Sequence, residues 1–265
     1  MATVADHYKT HLAPVYVWMA GGFDAAVSRG ETEIQTIFPI LSGGITAVDL
    51  GAGFGMHSIP LARRGCPVIA IDTSALLLEE LKGHAEALPV KAVEDDLLSF
   101  QRHLDSKVNL ILCMGDTLTH LPDLPSVERL FSQAAESLRS AGIFVITFRN
   151  YTTPLLGNDR FIPVKSDADR ILTCFLEYEP GASMFTICSM NESLLPGSYG
   201  SAPIGSSGSR RSGFPVACKP GDFPYWSSPD SEVWFVLSRQ DHNHSLWCQW
   251  MKIQEEVSGN AKISN

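Results

Sequence analysis

The sequence predicts a doubly wound α/β fold, a mainly parallel sheet with helices on both faces. Apolar runs of four to six residues alternate with segments of helical period from Thr46 to Phe148. The links between them are short. The first run also leads directly into the turn Asp49-Leu50-Gly51-Ala52-Gly53-Phe54-Gly55, after which a helical pattern begins. Strands alternating with helices across short links specify parallel pairing, because each helix must carry the chain back to the start of the sheet.

Taken in order, Asp6 to Ala26 mixes Tyr8, Tyr16 and Trp18 with small residues and reads as one or two short helices broken at Gly21-Gly22. A helix is expected over about Glu31 to Leu41, closed by Ser42-Gly43-Gly44, before strand one at Thr46 to Leu50. Met56 to Arg64 reads as a helix and Val68 to Ile71 as strand two. Ser74 is a cap for a helix to Ala87, and Val90 to Val93 is strand three. Val108 to Cys113 is strand four. Leu124 to Arg139 places Val127, Leu130, Phe131, Ala134, Ala135 and Leu138 at helical spacing, Ser140-Ala141-Gly142 ends it, and Ile143 to Phe148 is strand five. Tyr151 to Val164 reads as a loop and Arg170 to Tyr178 as strand six.

The net charge of -9 argues against a nucleic-acid footprint, which needs clustered Lys and Arg, and favours a small polar substrate. The six cysteines are scattered without a Cys-x-x-Cys pair, so neither a zinc site nor a disulfide scaffold is expected. No apolar run approaches the length of a bilayer span. Asp6, His7 and Lys9 interrupt what a signal peptide would keep apolar, so a cytoplasmic protein with reduced cysteines is expected.

Glycine at a strand-to-helix turn accepts positive φ and lets a ligand approach bare backbone. The spacing here is Gly51-x-Gly53-x-Gly55. Met56 stands where a dinucleotide-binding turn needs a later glycine, which counts against a nicotinamide-dependent dehydrogenase. Asp49 just before the turn suits a cationic ligand, and Asp72 at the end of strand two sits where an acid holds a ribose. A turn with no ligand is the structural alternative.

These residues resemble motif I of the class I S-adenosylmethionine-dependent methyltransferases, with Asp72 matching the ribose acid. The resemblance implies a Rossmann-like sheet, S-adenosylmethionine as cofactor, and in-line methyl transfer to a small molecule. It assigns Asp49, Gly51, Gly53, Gly55, Asp72, Asp96, Leu97 and Met114 to the cofactor, Asp96 at the adenine amino group with Asp95 an alternative. Met114-Gly115-Asp116-Thr117-Leu118-Thr119-His120-Leu121 is similar to the glycine N-methyltransferase pattern G-N-S-F-A-H-L, with Asp116 in place of Asn. Arg149-Asn150-Tyr151 matches its R-N-Y, whose Arg grips a substrate carboxylate. Asp116, His120 and Arg149 are therefore the candidate catalytic residues and no metal ligands are expected. Asp116 would favour an ammonium or guanidinium, His120 is a ligand, a base or a local cap, and Arg149 holds substrate or a structural ion pair. The same resemblance lets Tyr8 and Tyr16 cover the cofactor.

The resemblance also implies three regions: a helical cap over 1–45, the cofactor-binding domain over 46–180, and a tail over 181–265. From Gly181 to Asp230, eleven Ser, seven Gly and six Pro make up almost half the residues. The closing seventh strand, antiparallel beside the fifth, is not evident in the sequence, although a strand can resume at Val233 to Leu237. A cofactor-binding protein without turnover is the alternative function, and oligomeric state is left open.

Overall fold

The computed structural model describes residues 12–37, 44–149, 156–179, 182–191 and 232–238. Two helices come first, α1 (Ala13–Met19) and α2 (Phe23–Ile37), separated at the glycine pair. Gly21 and Gly22 both have positive φ, so the chain reverses there without side-chain strain. Helix α2 begins earlier than the pattern from Glu31 suggests. Ala26, Val27, Gly30, Ile34 and Ile37 form one buried stripe that runs through its whole length.

The central elements follow as β1 (Ala47–Leu50), α3 (Ser58–Arg63), β2 (Val68–Asp72), α4 (Ala75–His84), β3 (Val90–Glu94), β4 (Val108–Cys113), α5 (Leu124–Ser137) and β5 (Leu138–Arg149). Strands β1 to β5 are mutually parallel in the order β3-β2-β1-β4-β5. The order reverses at β1, which places a crevice between the strand tips of β1, β2 and β4, on the side where ligands enter such sheets.

The two-residue side-chain period divides each central strand between two cores. Val48 and Leu50, Ile111 and Cys113, and Phe144 and Ile146 pack with α5 and Phe100. Ala47, Leu110, Leu112, Ile143 and Val145 pack with α2 and α3 on the opposite face. Asp123 starts α5 by accepting the Ser126 N–H at 2.9 Å. Helix α5 passes into β5 at Leu138 rather than closing at Ser140-Ala141-Gly142. The irregularity expected there is absorbed as a register shift against β4, with Ala141 at φ 60°.

Beyond β5 the sequence reading needs correction. Four strands follow: β6 (Phe161–Ser166), β7 (Arg170–Glu179), β8 (Ala182–Asn191) and β9 (Glu232–Ser238). The segment expected as the sixth strand of the main sheet is β7, which instead pairs with β6 and β8 in a separate antiparallel sheet. Part of the expected loop is β6. The missing partner of the fifth strand is β9, which pairs antiparallel with β5 from Ile143↔Ser238 to Arg149↔Glu232. It lies far along the chain, where no local pattern announces which edge it covers.

Candidate functional site

The three glycines of the turn after β1 all have positive φ: 73° at Gly51, 54° at Gly53 and 95° at Gly55. The Gly51 and Ala52 N–H groups donate to the Ile71 carbonyl at 2.8 and 3.0 Å, which folds the turn over the end of β2. A Cβ at Gly53 would meet only Leu77 Cδ1, at 3.8 Å, so its backbone stays open to a ligand. Gly51 and Gly55 are used differently. Their Cβ positions lie 2.4 Å from Thr117 Oγ1 and 2.3 Å from Leu81 Cδ1, so these glycines let neighbouring elements close on the turn.

Asp72 joins the turn to the next helix. Its Oδ2 accepts the Gly53 N–H at 2.7 Å and its Oδ1 the Ser74 N–H at 2.8 Å. Burial pushes this carboxyl up from its ordinary range, opposed by the Ser74 and Gly53 N–H groups, while nearby Asp49 adds to the rise. A carboxylate has lone pairs beyond these two bonds and can still accept from a ribose hydroxyl. Asp49 is 1% exposed and accepts from Ser58 Oγ at 2.6 Å. Burial raises it too, with His57 and Ser58 acting in the opposite direction.

At the end of β3, Asp96 caps a short 3₁₀ helix (Leu97–His103) through the Leu98 N–H at 2.7 Å, and it is exposed beside the crevice. Leu97 is half-buried against the core and Phe100 is fully buried within it. Asp95 is paired instead with Arg102 and His103, at 2.7 Å from Arg102 Nε and 2.5 Å from His103 Nε2. At the end of β4, Met114 is buried, and Gly115 and Asp116 both turn through the left-handed region at φ 64° and 68°. This turn is tied to β5. Gly115 N–H donates to Thr147 Oγ1 at 2.8 Å and Asp116 N–H to the Thr147 carbonyl at 3.2 Å. His120 ends the following 3₁₀ turn and is exposed at the surface. Nearby protein depresses its basicity and Asp116 partly restores it.

Residues 47–142 match the methyltransferase domain family. The Rossmann-like fold of the chain is shared with solved structures. An S-adenosylmethionine-dependent methyltransferase from Clostridium acetobutylicum aligns at TM-score 0.55 and 15% identity, over 92% of this chain and 85% of its own. The CcbJ methyltransferase from Streptomyces caelestis aligns at TM-score 0.54 and 18% identity, over 69% and 80%. Among curated proteins, a glycine/sarcosine N-methyltransferase from Aphanothece halophytica is 26% identical over 153 residues, 56% of this chain and 57% of that protein. The chain thus spans little more than half the length of that relative.

The glycine turn is hydrogen-bonded to Asp72, Asp49 before it is bonded to Ser58 after it, and the Gly115–His120 segment closes on Gly51 through Thr117. Arg149 ends β5 beside Glu232 of β9, but its side chain lies outside the described residues, as do Asn150, Tyr151 and Tyr8. Tyr16 of α1 sets its ring edge-on to Phe54 in the turn, with centroids 6.0 Å apart. The same helix reaches the second sheet. Trp18 Nε1 donates to Asp167 Oδ2 at 2.5 Å, and the Arg170 guanidinium lies 4.4 Å over the Trp18 ring.

Sequence reasoning missed His57, Ser58, Thr117 and Thr147, all of which hold the site together. Ser58 and His57 carry the clearest signal, since they open the helix that follows the glycine turn. Thr147 interrupts an apolar strand, and its purpose is visible only once β4 lies beside β5. Among the described residues, no three His, Cys, Asp or Glu side chains gather as a metal site, and no helix is long and apolar enough to cross a membrane.

Proposed function

We propose that this chain is an S-adenosylmethionine-dependent methyltransferase acting on a small amine or amino acid. The observation that carries the reading is the junction of Gly53 and Asp72, an open glycine backbone and a ribose-type acid fixed on one another at the sheet's switch point. When bound, S-adenosylmethionine supplies a methyl group already activated on a sulfonium. The protein's task is then to align donor and acceptor and exclude water, an effect worth several kcal/mol. Gly51, Gly53 and Gly55 form the cradle, Asp72 receives the ribose, and Asp96 with Leu97 and Met114 borders the adenine side.

On the acceptor side, Asp116 holds the substrate ammonium and Arg149 its carboxylate. His120 takes the proton that the ammonium must lose before its neutral amine can attack the methyl group. The relatives named glycine/sarcosine N-methyltransferases support the amine class. We read 1–45 as a cap over 46–180, with 181–265 completing both sheets, and place the protein in the cytoplasm.

The test is calorimetric titration of the full chain with S-adenosylmethionine, S-adenosylhomocysteine and NADH, followed by an amine screen read as S-adenosylhomocysteine formed. Micromolar binding of the first two, with turnover on a small amine, is expected. Binding without turnover on any acceptor would leave a cofactor-binding protein, and NADH binding alone would overturn the assignment.

A further inference from the structure

The turn that carries Asp116 is built in a conformation most residues avoid. Gly115 and Asp116 follow one another through the left-handed region, and Asp116 reaches φ 68° with ψ 1°. Asp and Asn accept that region more readily than other side chains do. A turn of this kind leaves peptide groups that neither the strand before it nor the 3₁₀ turn after it pairs in full. Three threonine hydroxyls take them. Thr117 Oγ1 donates to the Met114 carbonyl at 2.8 Å, Gly115 N–H donates to Thr147 Oγ1 at 2.8 Å, and Thr119 Oγ1 donates to the Asp116 carbonyl at 2.7 Å. The Thr119 N–H adds a second bond to that carbonyl at 2.9 Å, and Asp116 N–H donates to the Thr147 carbonyl at 3.2 Å.

The peptide groups on both sides of Asp116 are thus fixed, one to β5 and one to the 3₁₀ turn, which sets the direction in which its side chain leaves the backbone. Asp116 stands at the N-cap of that turn, yet its carboxylate accepts no capping hydrogen bond. Asp96 and Asp123, with extended backbone, do cap the helices they precede. The left-handed backbone therefore withholds Asp116 from the structural task that the same residue type performs elsewhere in this chain. Thr117 extends the arrangement to the cofactor side, because a Cβ on Gly51 would stand 2.4 Å from its Oγ1 and 2.5 Å from its Cγ2. Thr147 is fully buried, so it can act on a substrate only through the turn it holds. We propose that Thr147, supported by Thr117 and Thr119, is a positioning residue that aims the Asp116 carboxylate at the ammonium of an amino-acid acceptor. The proposal rests on the reading above that Asp116 holds the substrate ammonium, and it assigns the precision of that contact to hydroxyls on β5 and on the turn itself.

The experiment titrates glycine and sarcosine, as probes, into the full chain saturated with S-adenosylhomocysteine. It compares the unaltered protein with Thr147→Val, Thr147→Ser, Asp116→Asn and the double variant Thr147→Val/Asp116→Asn. Valine keeps the branched shape and loses the hydroxyl, whereas serine keeps the hydroxyl. Thr147→Val should bind both probes about tenfold more weakly, with S-adenosylhomocysteine affinity changed by less than about twofold, and Thr147→Ser should restore probe binding. Asp116→Asn should show a similar loss and the double variant no further one, because the hydroxyl acts through the carboxylate. Unchanged probe affinity in Thr147→Val, an equal loss of probe and S-adenosylhomocysteine affinity, no rescue by serine, or additive losses in the double variant would each overturn the positioning role while the ammonium reading stands. Asp116→Asn binding the probes like the unaltered protein, or an unaltered protein that binds neither probe, would overturn the ammonium reading and the proposal with it. If Thr147→Val does not fold, Thr119→Val, at a half-buried position on the turn, takes its place in the same comparison.

Discussion

Gly30→Ala opposes two effects that differ in sign. In an isolated helix the change would stabilise by about 1 kcal/mol, since alanine loses less backbone entropy than glycine. In this protein the new Cβ would sit 2.0 Å from Met56 O and 2.8 Å from Met56 C, and both are backbone atoms of the glycine-turn segment. Ordinary contact begins at 3.4 Å, so helix and turn must separate by roughly 1.4 Å. That movement loosens the buried stripe of Ala26, Val27, Ile34 and Ile37 and the contact between Glu33 and His57. Overpacking costs about 1–3 kcal/mol, and a clash with backbone rather than with a flexible side chain falls in the upper part of that range, about 2–3, so after a propensity gain of about 1 a net loss of about 1–2 kcal/mol is expected. For a chain of this size that lowers the melting temperature by about 3–6 °C. Urea unfolding and a thermal melt read it directly. A variant as stable as the original, or more so, would refute the claim that α2 is seated on the turn by the missing side chain.

Three further outcomes follow from the same geometry. Gly51→Ala places a Cβ 2.4 Å from Thr117 Oγ1 at a φ of 73°, so the Thr117 turn must shift. Titration should show S-adenosylmethionine affinity falling more than tenfold, with about 1–2 kcal/mol of stability lost to the left-handed backbone. Asp95 is held below the usual carboxylate range by its hydrogen bonds to Arg102 and His103. A lowered carboxyl contributes stability above its unfolded value near 3.8 that is lost as pH falls, so Asp95→Asn should shift the urea midpoint at pH 6 and have progressively less effect below pH 4. Burial pushes the Cys66 and Cys113 thiols up and leaves both inaccessible. Iodoacetamide should label neither in the native protein at pH 8 and both in urea, as mass spectrometry of the peptides would show.

Where residues act on near neighbours in the chain, the pattern alone was sufficient. Strand β4 falls at Val108–Cys113 as its apolar run predicts, Ser74 caps α4 through the Leu77 N–H, and the glycine spacing marks the left-handed turn. The acids at the tips of β1 and β2 were legible for the same reason, since each lies within a few residues of the strand that carries it. What the sequence could not show was which distant partner each group meets. The clearest case is the edge of β5, closed by Glu232–Ser238 after a long Ser/Gly/Pro-rich interval, whereas the nearer candidate Arg170–Glu179 joins another sheet. Edge pairing is decided by exposed backbone groups and the route of the intervening chain, neither of which leaves a local pattern.

The sequence by itself thus determined the strand and helix order, the glycine turn and the acids beside it, because these depend on backbone freedom and on side-chain period over a few residues. Only the tertiary structure decided that Asp72 holds Gly53, that Thr147 anchors the turn carrying Asp116, and that Glu33 of α2 meets His57. These pairs are 19 to 32 residues apart, as with Asp72 and Gly53 or Thr147 and Gly115. They come together only when α2 packs on the turn and β4 lies beside β5, since hydrogen bonding and charge act through space and take no account of position along the chain.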